Sequence, residues 1–279
     1  MNNVLSVDVE DYFHVAALSA TIKVEDWSKI SPRVVDNTRR LLDLFDLHNV
    51  KATHFVLGWV AERFPELVRE IDSRGHEVAS HGYSHQLVYE QTPDVFHEET
   101  RKSKTILEDI LGKPVIGYRA ASYSITKNSL WALDILSELG FKYDSSIFPI
   151  RHDRYGIPDA EPLPHKLTTP GGNEIVEFPL TTSSLFGLRM PAAGGGYFRL
   201  YPYAMSKFLL RRVQKMRKPI VFYLHPWEID YTQPRVKASL LSTFRHYNNL
   251  DKCEQRLERL LRDFSFSTMS DVLKTQKLL

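Results

Sequence analysis

Short runs rich in β-branched and aromatic residues alternate along this chain with stretches whose apolar residues recur at helical spacing. That alternation limits the available folds more than any other feature. The strand-like runs are 4–9, 52–57, 77–80, 115–119, 142–145, 174–178 and 220–225. In the first helical stretch Val34, Thr38, Leu41, Leu42 and Phe45 share one face, with Pro32 just ahead of it. Further helices are expected over 65–73, 95–111, 128–139, 202–216 and 252–263, several stopped by Gly75, Gly112 and Gly140. Strand–helix alternation implies parallel strands with helices outside. About seven strands fit an α/β barrel better than an open sheet, and 279 residues suit one such domain. The expected layout is a core over 4–230 and a helical extension over 231–279. Segments 151–172 and 185–197 read as long loops.

Composition narrows the class. With 43% hydrophobic and 25% charged residues, the chain can bury a substantial core without staples. Its single cysteine, Cys253, excludes an intrachain disulfide. The first residues, MNNVLSVDVEDYFHV, carry neither a basic nor an apolar leader segment. No run approaches the roughly 20 apolar residues of a membrane span, so stable membrane insertion is not expected. The expectation is a cytoplasmic protein. A net charge of +2 argues against generic nucleic-acid binding. One local basic run, Arg211, Arg212, Lys215, Arg217 and Lys218, reads as a solvated helix face or as a contact for an anionic polymer or membrane surface. Nothing in the sequence selects an oligomeric state.

Five constellations carry chemistry. His81-Gly82-Tyr83-Ser84-His85 follows the run 77–80, and two imidazoles four apart meet in a helix or tight turn, where they suit zinc or a similar divalent ion. His76 lies nearby but precedes the strand. A catalytic metal needs a third ligand, and Asp8, Glu10 and Asp11 crowd the end of the first strand, where their charges repel unless a cation or proton neutralises them. Alternation puts Asp8 and Glu10 on one side. The apolar strand before His225-Pro226-Trp227 delivers an imidazole able to act as general acid or base, beside an indole able to stack on a sugar. Arg119 precedes a small-residue turn, Ala120-Ala121-Ser122-Tyr123; it can orient a carboxylate, and the turn's N–H groups can face an oxyanion. Asp144 ends another strand, where a structural pair with Arg119 is the plainer alternative. All five lie at the C-terminal ends of successive strands, where barrels keep their active sites.

In this order, the motifs resemble those of the polysaccharide deacetylase (NodB-homology, carbohydrate esterase) family. Ser6-Val7-Asp8-Val9-Glu10-Asp11, His81–His85, Arg119–Tyr123, Tyr143-Asp144-Ser145-Ser146 and Leu224-His225-Pro226-Trp227 match its five motifs, over roughly residues 4–229. Segments 144–149, 152–156, 194–199, 225–230 and 244–248 further resemble a subgroup associated with exosortase-linked exopolysaccharide loci. The resemblance implies a distorted (β/α) barrel and metal-dependent N-deacetylation of an N-acetylated glycan in exopolysaccharide biosynthesis. It implies Asp8 as base, His225 as acid, and a divalent metal on His81, His85 and an acid. Zinc is the expected ion, with cobalt or another divalent cation as alternatives. Two departures matter. The first motif reads Asp-Val-Glu-Asp, so the acidic ligand is Glu10, favoured by alternation, or Asp11. Ala121 stands where proline is usual. By the same reading Arg119 tunes Asp8, Asp144 orients His225, and Tyr123 and Trp227 meet the substrate. The rivals are a metal-independent, allantoinase-like amidase and a non-catalytic carbohydrate-binding protein.

Overall fold

A strand covered on both faces needs a nearly continuous apolar run, and β1 (Asn3–Val9) is such a run: Val4, Leu5, Val7 and Val9 are inaccessible to solvent, and so is the hydroxyl-bearing Ser6. The computed structural model describes residues 3–152, 154–185 and 187–279; Asp153, within one of the motifs above, lies outside them. After β1 come α1 (Val34–Leu47), β2 (Thr53–Val56), α2 (Gly58–Arg63), α3 (Pro65–Ser73), β3 (Glu77–Ser80), α4 (Pro93–Leu111), β4 (Gly117–Tyr118), α5 (Trp131–Glu138) and β5 (Tyr143–Asp144). There follow β6 (His165–Thr168), β7 (Glu174–Glu177), β8 (Thr182–Leu185), β9 (Leu188–Pro191), α6 (Gly195–Leu200), α7 (Tyr203–Lys215), β10 (Val221–Leu224), α8 (Leu240–Tyr247), α9 (Leu250–Asp263), β11 (Phe266–Ser267) and α10 (Met269–Thr275).

Helix ends obey local chemistry. In α4 the Thr92 side chain accepts from the Val95 N–H, Pro93 takes the first turn, and Gly112 at φ 65° ends the helix. The buried face of α1 is the expected stripe of Val34, Thr38, Leu41, Leu42 and Phe45.

The main sheet runs β10-β1-β2-β3-β4-β5-β7-β6. All seven expected strands are present and mutually parallel, giving the α/β architecture read from the sequence. The four strands not foreseen are short. β6 runs antiparallel on the outer edge of β7, β8 and β9 form a separate hairpin, and β11 pairs with the first residues of β1. Both expected long loops therefore contain strands. No ladder joins β7 to β10. The seam is bridged instead by irregular chain: Val221 N–H donates to Thr181 Oγ1 at 2.7 Å, and Tyr223 N–H to the Ala193 carbonyl at 2.7 Å. This gapped closure is the distortion of the barrel. Among the described residues no helix is long and apolar enough to cross a membrane. In the basic run, Arg211 and Arg212 donate to the carbonyls of Asp263 and Ser184.

Candidate active site

Parallel pairing in register carries the C-terminal ends of β1, β2 and β3 to one end of the barrel: Asp8 lies opposite Phe55, and Phe55 opposite Ala79. The chain leaves β3 directly into the His81–His85 segment. This is a tight turn rather than a helix, with Gly82 at φ 72° and His85 at φ 55°. Its shape is held by the N–H groups of Gly58 and Trp59, at the start of α2, donating to the carbonyls of Gly82 and Tyr83. His81 Nδ1 lies 2.8 Å from the Arg119 carbonyl. A carbonyl can only accept, so Nδ1 carries the proton and the Nε2 lone pair is left for another partner. Burial pulls His81 down to about 4, which keeps the ring neutral.

Glu10, His81 and His85 bring one ligand atom each to within 4.8 Å of one another. His85 Nε2 is 2.9 Å from Glu10 Oε2, yet neither that oxygen nor His85 Nδ1 has a hydrogen-bond partner. Burial raises the Glu10 carboxyl, but attraction to His85, His225 and His81 outweighs it and holds the group well below the usual carboxylate range. Two buried imidazoles and a carboxylate with an unsatisfied oxygen fit a divalent, zinc-like ion. Asp11, the other acid left open by the sequence, is elsewhere. Its Oδ2 accepts from the N–H groups of Arg33 (2.5 Å) and Val34 (2.8 Å) at the start of α1, and its Oδ1 from Tyr12 N–H.

Asp8 stands beside this group. Its Oδ1 accepts from Arg119 Nη1 at 2.7 Å, and its Oδ2 from the Tyr123 hydroxyl at 3.4 Å. Arg119 is wholly buried and spends its other N–H groups on Ser6 Oγ and on the carbonyl and hydroxyl of Ser145, so it holds one geometry. Tyr123 and Ser122 both adopt positive φ, and the Tyr123 N–H is taken by the Ala120 carbonyl.

His225 Nε2 is 3.8 Å from Asp8 Oδ2 and 3.5 Å from Glu10 Oε1. Its Nδ1 faces not Asp144 but Glu228 Oε1, at 2.7 Å. Glu228 in turn binds Arg199 Nε at 2.5 Å. Burial opposes protonation of His225, but the Glu228 hydrogen bond and the charges of Glu10, Glu228 and Asp8 prevail and raise it to about 9. Glu228 was missed in the sequence. Its signal is the His-Pro-Trp-Glu spacing, in which an acid three residues on reaches back to the His225 N–H (3.0 Å) as in a capping box. Trp227 is buried, packs against the rings of His225 and His246, and donates from Nε1 to Glu10 Oε1. It braces that carboxylate and also lines the cavity at the site. A cavity of about 190 Å³ opens onto Asp8, Glu10, His81, His85 and His225, with Tyr123, Tyr155 and His152 on its wall.

Asp144 is fully buried and belongs to a different pair. Its oxygens accept from the Ser146 hydroxyl and N–H, and it lies beside Glu177, whose Oε1 accepts from the Ile147 N–H. Burial raises both acids, Asp144 to about 6 and Glu177 well above the usual range, and we expect the two to share a proton. Acids raised on folding add stability that is complete below their unfolded values near 4 and is lost as pH rises through about 6. Glu177→Gln supplies the shared proton permanently as an amide N–H. We expect the wild type to lose on the order of 2–3 kcal/mol between pH 4 and 7, and the variant to lose much less. Urea titrations at the two pH values check this; equal losses would refute the shared proton.

Comparison with known proteins adds the following. Residues 24–143 match the family model described as Polysaccharide deacetylase, and residues 145–274 match a domain of unknown function (DUF3473). A peptidoglycan-N-acetylglucosamine deacetylase of Bacillus cereus is 30% identical over 148 residues, 49% of this chain and 52% of that protein. A peptidoglycan deacetylase of Helicobacter pylori is 35% identical over 108 residues, 39% of this chain and 36% of that protein. The chain thus spans about half or less of the length of these relatives. Among solved structures, a Mycobacterium smegmatis protein named as a polysaccharide deacetylase superposes with a TM-score of 0.61 at 20% identity, covering 100% of this chain and 93% of that one. PuuE allantoinase gives 0.60 at 16%, covering 98% and 88%. At these identities the superpositions establish the fold.

Proposed function

We propose that this chain, whose residues 24–143 match the polysaccharide deacetylase family model, is a metal-dependent hydrolase that removes acetyl groups from the N-acetylated amino sugars of a glycan. One observation carries the reading: a metal-ligand triad of Glu10, His81 and His85 adjoins an Arg-held Asp8 on one side and a carboxylate-anchored His225 on the other, in one cavity. PuuE allantoinase has the same fold, but the metal-ligand triad favours the deacetylase over an allantoinase-like amidase.

In this mechanism Glu10, His81 and His85 would hold a divalent ion, with zinc the best match to the ligands, and that ion would supply Lewis acidity toward water and the acyl oxygen. Asp8 accepts the proton of the attacking water at Oδ2. Arg119 keeps Oδ1 occupied and leaves Oδ2 facing the cavity. The Ser122 N–H donates to the developing oxyanion. As the C–N bond breaks, His225 delivers the proton on Nε2 to the departing amine. Glu228 holds that ring oriented and charged. Acetate and the free amino sugar leave. Tyr123 and Tyr155 border the sugar. We further assign the chain, from its subgroup motifs, to exopolysaccharide assembly in the cytoplasm.

The test is acetate release from a panel of N-acetylated glycans with added zinc or cobalt. Asp8→Asn preserves the shape around Arg119 and is expected to lower turnover by about 10²–10³-fold. Acetate release that persists under chelation would assign the metal-independent amidase. Glycan binding with no acetate from any substrate would assign a carbohydrate-binding protein.

A further inference from the structure

Helix α8 faces two ways. His246 and Tyr247 are buried, whereas Leu240, Leu241 and Phe244 are 91%, 56% and 54% exposed. Leu200, at the end of α6, is 45% exposed and borders the same depression. Leu200, Leu241 and Phe244 line a second cavity of about 300 Å³, which shares Tyr155, Tyr223, His152 and Arg245 with the cavity at the metal ligands. Scattered exposed leucines need no explanation, but a contiguous apolar rim at the mouth of a site does.

The charge around this rim is one-sided. Between Asp230 and Asp251 there is no acidic residue, while Arg235, Lys237 and Arg245 are present; between Glu177 and Glu228, the stretch that includes α6, there is again none. A covering surface must therefore be apolar at its centre and negative at its margin. A bilayer of anionic lipid has that composition, and an amphipathic helix with basic flanks is the element that lies on one.

We infer that the face formed by α8 and the end of α6 seats on an anionic membrane surface, with Leu240, Leu241 and Phe244 entering the headgroup layer. The cavity over Glu10, His81 and His85 then opens beside the lipid. On the deacetylase reading, this makes a membrane-anchored glycan the substrate class. The docking itself does not depend on that reading.

The test is sedimentation of the intact chain with phosphatidylcholine vesicles, with and without phosphatidylglycerol. Expected is binding to the anionic vesicles only, weakening as salt rises. Leu240→Glu combined with Phe244→Glu should reduce the bound fraction at least about tenfold. Leu240→Asp alone, at a site almost wholly in solvent and outside both cavities, should weaken binding and leave acetate release from a soluble glycan unchanged. Failure of the wild type to pellet, or undiminished pelleting of the variants, overturns the inference. So does a concentration-dependent dimer that the double variant abolishes, which would assign the face to a second copy of the chain. Vesicle binding in the absence of any acetate release would sustain the docking and reject the deacetylase.

Discussion

Replacing His81 or His85 with alanine is expected to abolish stoichiometric metal binding and to lower kcat/KM on an N-acetylated glycan by on the order of 10⁴-fold, about 5.5 kcal/mol of transition-state stabilisation. The size of the effect follows from the small number of ligands. Glu10, His81 and His85 are the only such metal-ligand group among the described residues, and each supplies one atom. Loss of either imidazole leaves two protein ligands, too few to outcompete water. The His81 variant carries a second defect, because His81 is also tied to the Arg119 carbonyl and so to the residue that holds Asp8. Metal analysis after dialysis, alongside acetate release, reads both consequences. Full turnover of either variant in the presence of a chelator would end the metal-dependent scheme.

Glu228→Gln is expected to be the most destabilising single change near the site. The Glu228–Arg199 pair is almost solvent-free, with side chains 1% and 2% exposed. Neutralising the acid leaves the guanidinium with uncharged partners only, the carbonyls of His246, Asn248 and Arg245, the new amide oxygen and the Trp227 ring. An uncompensated buried charge costs about 3–5 kcal/mol, which lowers Tm by roughly 10 °C in a domain of this size. The same change weakens the hold on His225 Nδ1, so kcat should fall by a further 10–100-fold or so. A double variant separates the two effects. Arg199→Met with Glu228→Leu removes both charges and should recover most of the stability, while His225 stays unanchored and activity stays low. Recovery of both together would show that Glu228 acts only through the fold.

How far the sequence could be read depended on whether the signal was local. The β1 run ending in Asp8 and Glu10 and the pair His81 and His85 are local patterns, and the structure brings them together. Alternation favoured Glu10 over Asp11, and Glu10 lies with His81 and His85 while Asp11 turns to the start of α1. The partner of His225 is local too, but its signal is weak. Asp144 ends a parallel strand, yet β5 pairs with β4 and β7, away from β10, and its acid lies beside Glu177 instead. Glu228 lies three residues from His225, past a proline and a tryptophan, on a short helical turn that brings its carboxylate back to the imidazole. The contact of Trp227 with Glu10, 217 positions away, is not local at all. Helix α8 escaped notice because its apolar residues point outward, so the usual link between apolar periodicity and the core does not hold there.

The unlaced seam between β7 and β10 gives the two sides of the reaction centre foundations of unequal stiffness. Glu10, His81 and His85 follow β1 and β3, both laddered to β2 between them, so the groups that would hold an ion share one continuous backing. His225 rides on a strand laced along one flank and merely pinned on the other. On the proposed mechanism His225 would thus have more freedom than the metal ligands to meet amines set at different depths.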